Sequence, residues 1–283
     1  MWNLYDELYM GIPSGIRIEG CVVGRLWTTV RANGNIGLAR TLGDVGAEGD
    51  ALGQSFIGQY LRDTASWLKW DSPVRASIGV AAMNAFYNRS DRLKGKSAPP
   101  AFQEELSGKR AAIIGELPNL EAGLTDCCEL TVLPLPERTE LGDPYVAALK
   151  RDFVFISGDA LTNQTLPALL AEVGEGTRVS LAGVSVPAAP VLFAFDAPIH
   201  NLSGLYARFD TTVESAAKRD LKDLAPGTDT FSINPANPAY LHENPAVKRY
   251  LGSPYKAAVF NCAFNPWEGK DYDKSILSPI FKG

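Results

Sequence analysis

Two regimes of apolar patterning divide the chain. Residues 16–31, IRIEGCVVGRLWTTVR, are rich in β-branched and aromatic types and predict strand. ANGN at 32–35 is a hairpin-turn signal, and IGLAR at 36–40 is its return strand. Residues 2–10 predict a short helix closed by Gly11 and Pro13. A Gly-rich acidic loop, GDVGAEGDALG at 43–53, precedes helices predicted over 55–69 and 72–89. A hairpin followed by helices makes an α+β unit, placed at residues 1–95. The stretch DRLKGKSAPPAFQEELSGKR at 91–110 is charged, carries a proline pair and lacks periodicity, so it reads as linker.

From residue 110 the pattern changes. AAIIGE, LTVLPL, FVFISG and RVSLAG are short apolar runs, each beside a turn signal. Helix-like segments separate them near 118–128, 144–150 and 165–173. Strands alternating with helices predict a parallel sheet covered on both faces, an α/β domain at 96–224. The remainder, 225–283, is rich in proline and aromatic residues. It is expected to be an extended arm packed on the body or on a second subunit, which makes a homo- or hetero-oligomer the expectation.

In such a sheet, ligands bind beyond the carboxyl ends of the strands at a topological switch point. Three loops qualify: GELPNLE at 115–121, the stretch SGDALTNQT at 157–165, and GVSVPAAP at 183–190. The first holds Gly115, Glu116, Leu117 and Pro118 where a dinucleotide fingerprint needs further glycines, and its carboxylate repels pyrophosphate. NAD and FAD are therefore disfavoured. The second packs Ser157, Gly158, Asp159, Thr162, Asn163 and Thr165 into nine positions. Thr165 is the expected helix cap. One cap needs one such residue, so the surplus is expected to face a ligand. On the 72–89 helix, Ser77, Asn84 and Asn88 share a face with no charge between Arg75 and Arg89. That face lines a cleft or forms a buried interface with satisfied amides. The carboxylates placed for acid–base work are Asp44, Glu116 and Asp159; Glu48 and Asp50 read as solvated.

Composition narrows the classes. At 46% hydrophobic and 21% charged residues, the chain can bury a large core. A net charge of -5 argues against a nucleic-acid partner. Cys21, Cys127, Cys128 and Cys262 match neither a zinc site nor a disulfide framework, which fits a reducing cytoplasm. His200 and His242 have no partner at ligand spacing, so no protein metal site is read, although a divalent metal is left open. MWNLYDELYMGIP is no signal peptide. The longest uncharged run, 179–195, holds Pro187 and Pro190 and is short for a membrane span. A cytoplasmic protein without a membrane partner is expected.

The ordered series MWNLYDELYMGIP, GRLWTTVRANGNIGLA, VRASIGVAAMNAFYN, GELPNLE, SGDALTNQTLPALL and SLAGVSVPAAPVLF resembles a family of two-domain proteins described as putative heavy-metal-chelation proteins. The resemblance spans about residues 1–210. It implies an enolase-N-terminal-like α+β domain followed by a Rossmann-like domain. It also implies an interdomain cleft on which Asn84, Glu116, Asp159, Thr162, Asn163 and Ser185 converge. The chain departs from its relatives at Pro134, in the loop 43–53, and in the tail after about 225. Two functions follow. One is a protein binding a small polar or metal-chelating metabolite in the cleft. The other is a metal-independent biosynthetic enzyme using a carboxylate for an intramolecular substitution or elimination on an amino-acid-derived substrate.

Overall fold

The structure, a computed structural model, describes residues 4–46, 49–93, 105–137, 141–193 and 199–234. The first half opens with α1 (Leu4–Met10) and continues into an antiparallel sheet of β1 (Ile18–Val23), β2 (Trp27–Ala32) and β3 (Asn35–Arg40). The β2–β3 turn forms as its residues require, with Asn33 at φ 50 and Gly34 at φ 69. The stretch 16–31 is not one strand. It folds back at Gly24–Leu26 into β1 and β2, because Arg25 N and Leu26 N donate to Asp220 Oδ1 at 2.6 and 3.3 Å.

α2 (Gly49–Gln54) and α3 (Leu61–Ala65) follow, and α3 runs into a 3-10 turn at Ser66–Lys69. Of the single helix expected over 55–69, only 61–69 is helical, as α3 and its 3-10 turn, while 55–60 is turn and bridge. α4 (Pro73–Tyr87) starts where Pro73 supplies a preset φ and Ser72 Oγ accepts from Arg75 N. Nearly every α4 residue is buried. Such an all-round apolar helix must be enclosed, and α4 packs on β2 and β3. α5 (Ser90–Leu93) ends the first half. The linker expected at 91–110 otherwise falls largely on residues 94–104, outside the described residues.

The second half alternates β4 (Arg110–Ile114), α6 (Pro118–Leu124), β5 (Glu129–Leu133), α7 (Asp143–Ala148) and β6 (Phe153–Ser157). It continues with α8 (Asp159–Thr162), α9 (Leu166–Ala171), β7 (Arg178–Ala182), β8 (Ile199–Ala207), α10 (Asp210–Lys218) and β9 (Thr228–Ile233). The strand order is β5-β4-β6-β7-β8-β9, parallel except for β9. β6 is buried along its whole length, as parallel strands covered on both faces are. Two strands were not anticipated, β8 and β9. Thr228–Ile233, expected to begin the arm, instead completes this sheet. The rest of that arm lies outside the described residues.

One continuous core joins the halves, running from Ile78 and Met83 of α4 to Ile114, Ile156 and Leu181 of the second sheet. Ile36 and Leu38 of β3 pack with Val213 and Ala216 of α10 on the other side. Among the described residues, no helix is long and apolar enough to cross a membrane.

Candidate functional site

The chain leaves β4 for β5 on one side and returns to β6 on the other. The carboxyl ends of β4 and β6 are therefore the switch point at which an open parallel sheet binds its ligands. The strand ends approach closely there. Gly115 has φ +95, and a Cβ on it would lie 2.5 Å from Ser157 Cβ. A Cβ on Gly158 would lie 2.7 Å from Val186 N, so the β7 loop is drawn against the β6 loop. Glycine at both positions brings Glu116, Asp159 and Ser185 to one place.

The residue that joins them is Arg40, the last residue of β3 in the first sheet. Its Nη1 lies 2.6 Å from Glu116 Oε2 and 3.5 Å from Asp159 Oδ2. Ser185 Oγ donates to Asp159 Oδ1 at 2.6 Å and accepts from Arg40 N at 3.0 Å. Asp159 N donates to Ser157 Oγ at 3.3 Å. The Asp159 side chain is only 8% exposed, whereas Glu116 is 71% exposed and Arg40 35%. Burial pushes the Asp159 carboxyl above the usual range, while the Ser185 hydrogen bond and the Arg40 charge pull it back only in part. The site therefore presents an accessible carboxylate, a half-exposed guanidinium and a buried carboxyl suited to exchanging a proton.

This arrangement predicts a pH-dependent cost for Arg40→Met. As pH rises, a carboxyl raised in the folded state loses its proton first from the unfolded chain. Stability then falls through the window from the ordinary value of 3.8 up to the folded value. Removing Arg40 lifts the folded value further. The variant should lose about 2 kcal/mol near pH 7, since the pair is only partly desolvated, and clearly less near pH 5. Urea midpoints at the two pH values read this directly. Equal losses would detach Asp159 from Arg40.

The other expected residues are placed variously. Asp44 is exposed and closes a local turn, its Oδ1 accepting from Gly46 N at 2.9 Å. It does not join the network. Asn84 and Asn88 are buried in the seam between the halves rather than on an open cleft. Asn84 Nδ2 donates to Leu38 O at 2.6 Å and to Val184 O at 3.4 Å, beside Ser185. Asn88 is held by three backbone groups of the second half. Ser77 Oγ, on the same face, donates to Pro73 O and accepts from Leu42 N. Thr165 sits at the N-cap position with helical dihedrals, and its side chain caps nothing. Its hydroxyl donates instead to Asn163 Oδ1 at 2.7 Å. Asn163 Nδ2 donates to Pro136 O at 3.3 Å. Thr162 follows Asp159 on α8 and is fully buried, and its Oγ1 and Asn84 Oδ1 have no hydrogen-bond partner among the described residues.

Local sequence does not single out Arg40. The only local signal is its place at the end of IGLAR, and nothing within the strand announces a partner in the other half.

The donor set bears on metal. Among the described residues, no three His, Cys, Asp or Glu side chains gather as a metal site. His200 Nδ1 accepts from Val179 N inside the sheet. His242 and Cys262 lie outside the described residues. The described residues alone therefore do not fit a protein-only heavy-metal centre.

Two family models match the chain, DUF4213 at residues 5–87 and DUF364 at residues 100–219, both described as "Putative heavy-metal chelation". A DUF364-family protein of unknown function from Desulfitobacterium hafniense has a similar crystal structure, with TM-score 0.71 and 29% identity over 82% of this chain and 97% of that one. Another from Pyrococcus horikoshii, also of unknown function, gives TM-score 0.66 at 17% identity over 82% and 98%, a likeness of fold. No curated protein matches.

Proposed function

Because the chain belongs to the family defined by the paired DUF4213 and DUF364 regions, we propose that it binds a small polar metabolite in the crevice between its halves. The observation that carries this reading is the bridge from Arg40 to Glu116 and Asp159 at the switch point. Arg40 offers a guanidinium to a ligand carboxylate, and exposed Glu116 offers a carboxylate to a ligand amine. Asp159 and Ser185 hold Arg40 in place from beneath. A zwitterionic, amino-acid-derived ligand matches that pair of charges. The family description speaks of chelation, yet the described residues supply too few donors for a bare ion. A metal would then arrive already chelated, with the metabolite providing most of its ligands.

Calorimetry separates these cases. Copper(II) alone, free amino acids, and copper(II)–amino-acid complexes are titrated into the protein. Heat is expected from amino acids or their complexes, with affinity weakened roughly tenfold or more by Glu116→Gln, which removes one charge-assisted contact. Tight binding of bare copper(II) that is untouched by Glu116→Gln would sink the reading.

One observation favours a second reading. The buried, raised Asp159 carboxyl beside an accessible charge pair suits a general acid or base in metal-independent biosynthesis on an amino-acid-derived substrate. Asp159→Asn would then stop turnover while leaving ligand heat intact. The geometry lends no comparable support to Asp44. Assembly through the tail concerns residues 235–283, outside the described residues.

A further inference from the structure

Cys127 and Cys128 stand apart from the crevice. They occupy the turn between α6 and β5, at the opposite edge of the sheet. Cys127 N donates to Leu124 O at 3.0 Å, which carries the helical path past the end of α6. Each thiol donates to the carbonyl four residues back, Cys127 Sγ to Gly123 O at 3.4 Å and Cys128 Sγ to Leu124 O at 3.6 Å. Both are free thiols and half-buried. Cys128 packs on the apolar cluster that holds Leu106 and Leu124, while Cys127 sits beside exposed Asp126. Burial and the neighbouring Cys127 hold the Cys128 thiol above its usual range. Thiols are weak hydrogen-bond donors, so releasing both carbonyls costs little.

Consecutive soft donors, one wall apolar and the other open, suit a thiophilic centre satisfied by two sulfurs. Structural zinc, which takes four protein ligands, is left short. We propose that Cys127 and Cys128 form a dithiol site for trivalent organoarsenicals. With an arsenic(III) oxide, R–As=O, two S–As bonds form as the As–O bonds break. The two thiol protons leave with the oxygen as one water, and no atom changes oxidation state. The organic group R lies on the apolar wall beneath Cys128. This site does not depend on the crevice or on what binds there.

The full chain, reduced with a phosphine, is titrated with phenylarsine oxide and followed by intact mass spectrometry. A single adduct per chain is expected, stable to excess monothiol and released by 2,3-dimercaptopropanol. Cys127→Ser and Cys128→Ser should each weaken it roughly a hundredfold or more, because the second sulfur acts at high effective concentration. Cys21→Ser and Cys262→Ser should retain it. An adduct that survives Cys127→Ser or Cys128→Ser, disappears in Cys262→Ser, or is displaced by equimolar zinc chloride overturns the assignment.

Discussion

Asn88→Ala is expected to cost about 3–5 kcal/mol of stability. Asn88 Nδ2 donates to Val186 O at 2.9 Å and Leu205 O at 3.1 Å, and its Oδ1 accepts from Ala188 N at 2.7 Å. The side chain is buried, so truncation leaves backbone groups without partners or water. Asn88→Asp should lose at least as much, because a buried carboxylate oxygen then faces the Val186 and Leu205 carbonyls where the amide donated. Urea denaturation of the three proteins checks this order. A loss below about 1 kcal/mol for the alanine variant would mean that water replaces the amide, and the seam would then be wetter than its burial indicates.

Gly37→Ala carries the second large effect, about 3 kcal/mol or more. Gly37 lies in the middle of β3 against α4. A Cβ there would sit 2.0 Å from Ala85 N, 2.1 Å from Ala81 O and 2.5 Å from Asn84 C. These are backbone atoms of an enclosed helix, so no rotamer change relieves the clash. Strand and helix must separate, which also pulls on the Asn84 bond to Leu38 O. The melting temperature should drop on the order of 10 °C. Gly123→Ala is the matched control. It lies in α6 with nothing within 4 Å of the added methyl, and should stabilise slightly. Identical melting of Gly37→Ala and the unaltered protein would show that α4 does not approach β3 so closely.

Much of the fold is readable locally. The Asn33–Gly34 turn, α4 and the strands β4 to β7 announce themselves through turn chemistry and apolar runs. β8 escapes because its sequence, IHNLSGLYA, interleaves polar residues that the sheet itself satisfies. Asn201 Nδ2 donates to Ser180 Oγ and Ser203 Oγ, and Ser232 Oγ donates to Asn201 Oδ1. A polar ladder inside a sheet leaves no hydrophobic signature. The break between β1 and β2 escapes for a different reason: Asp220, far along the chain, holds the turn.

The same division governs the candidate site. Glu116 and Asp159 are suggested by their positions after parallel strands, which is a local property combined with a general rule. Arg40 is invisible, because its role comes from the docking of β3 against the other half. The six polar residues of the 157–165 stretch are also only partly resolved by sequence. Asp159 belongs to the charge network, whereas Thr165 and Asn163 largely satisfy each other.

The Arg40 bridge has a consequence for how the chain can be divided. One matched region, 5–87, contributes Arg40, and the other, 100–219, contributes Glu116, Asp159 and Ser185. A gene carrying either region alone encodes an incomplete charge pair. The two matched regions therefore meet in one charge network that neither holds by itself, so separating them at the boundary would dismantle the site even if each half kept its own sheet.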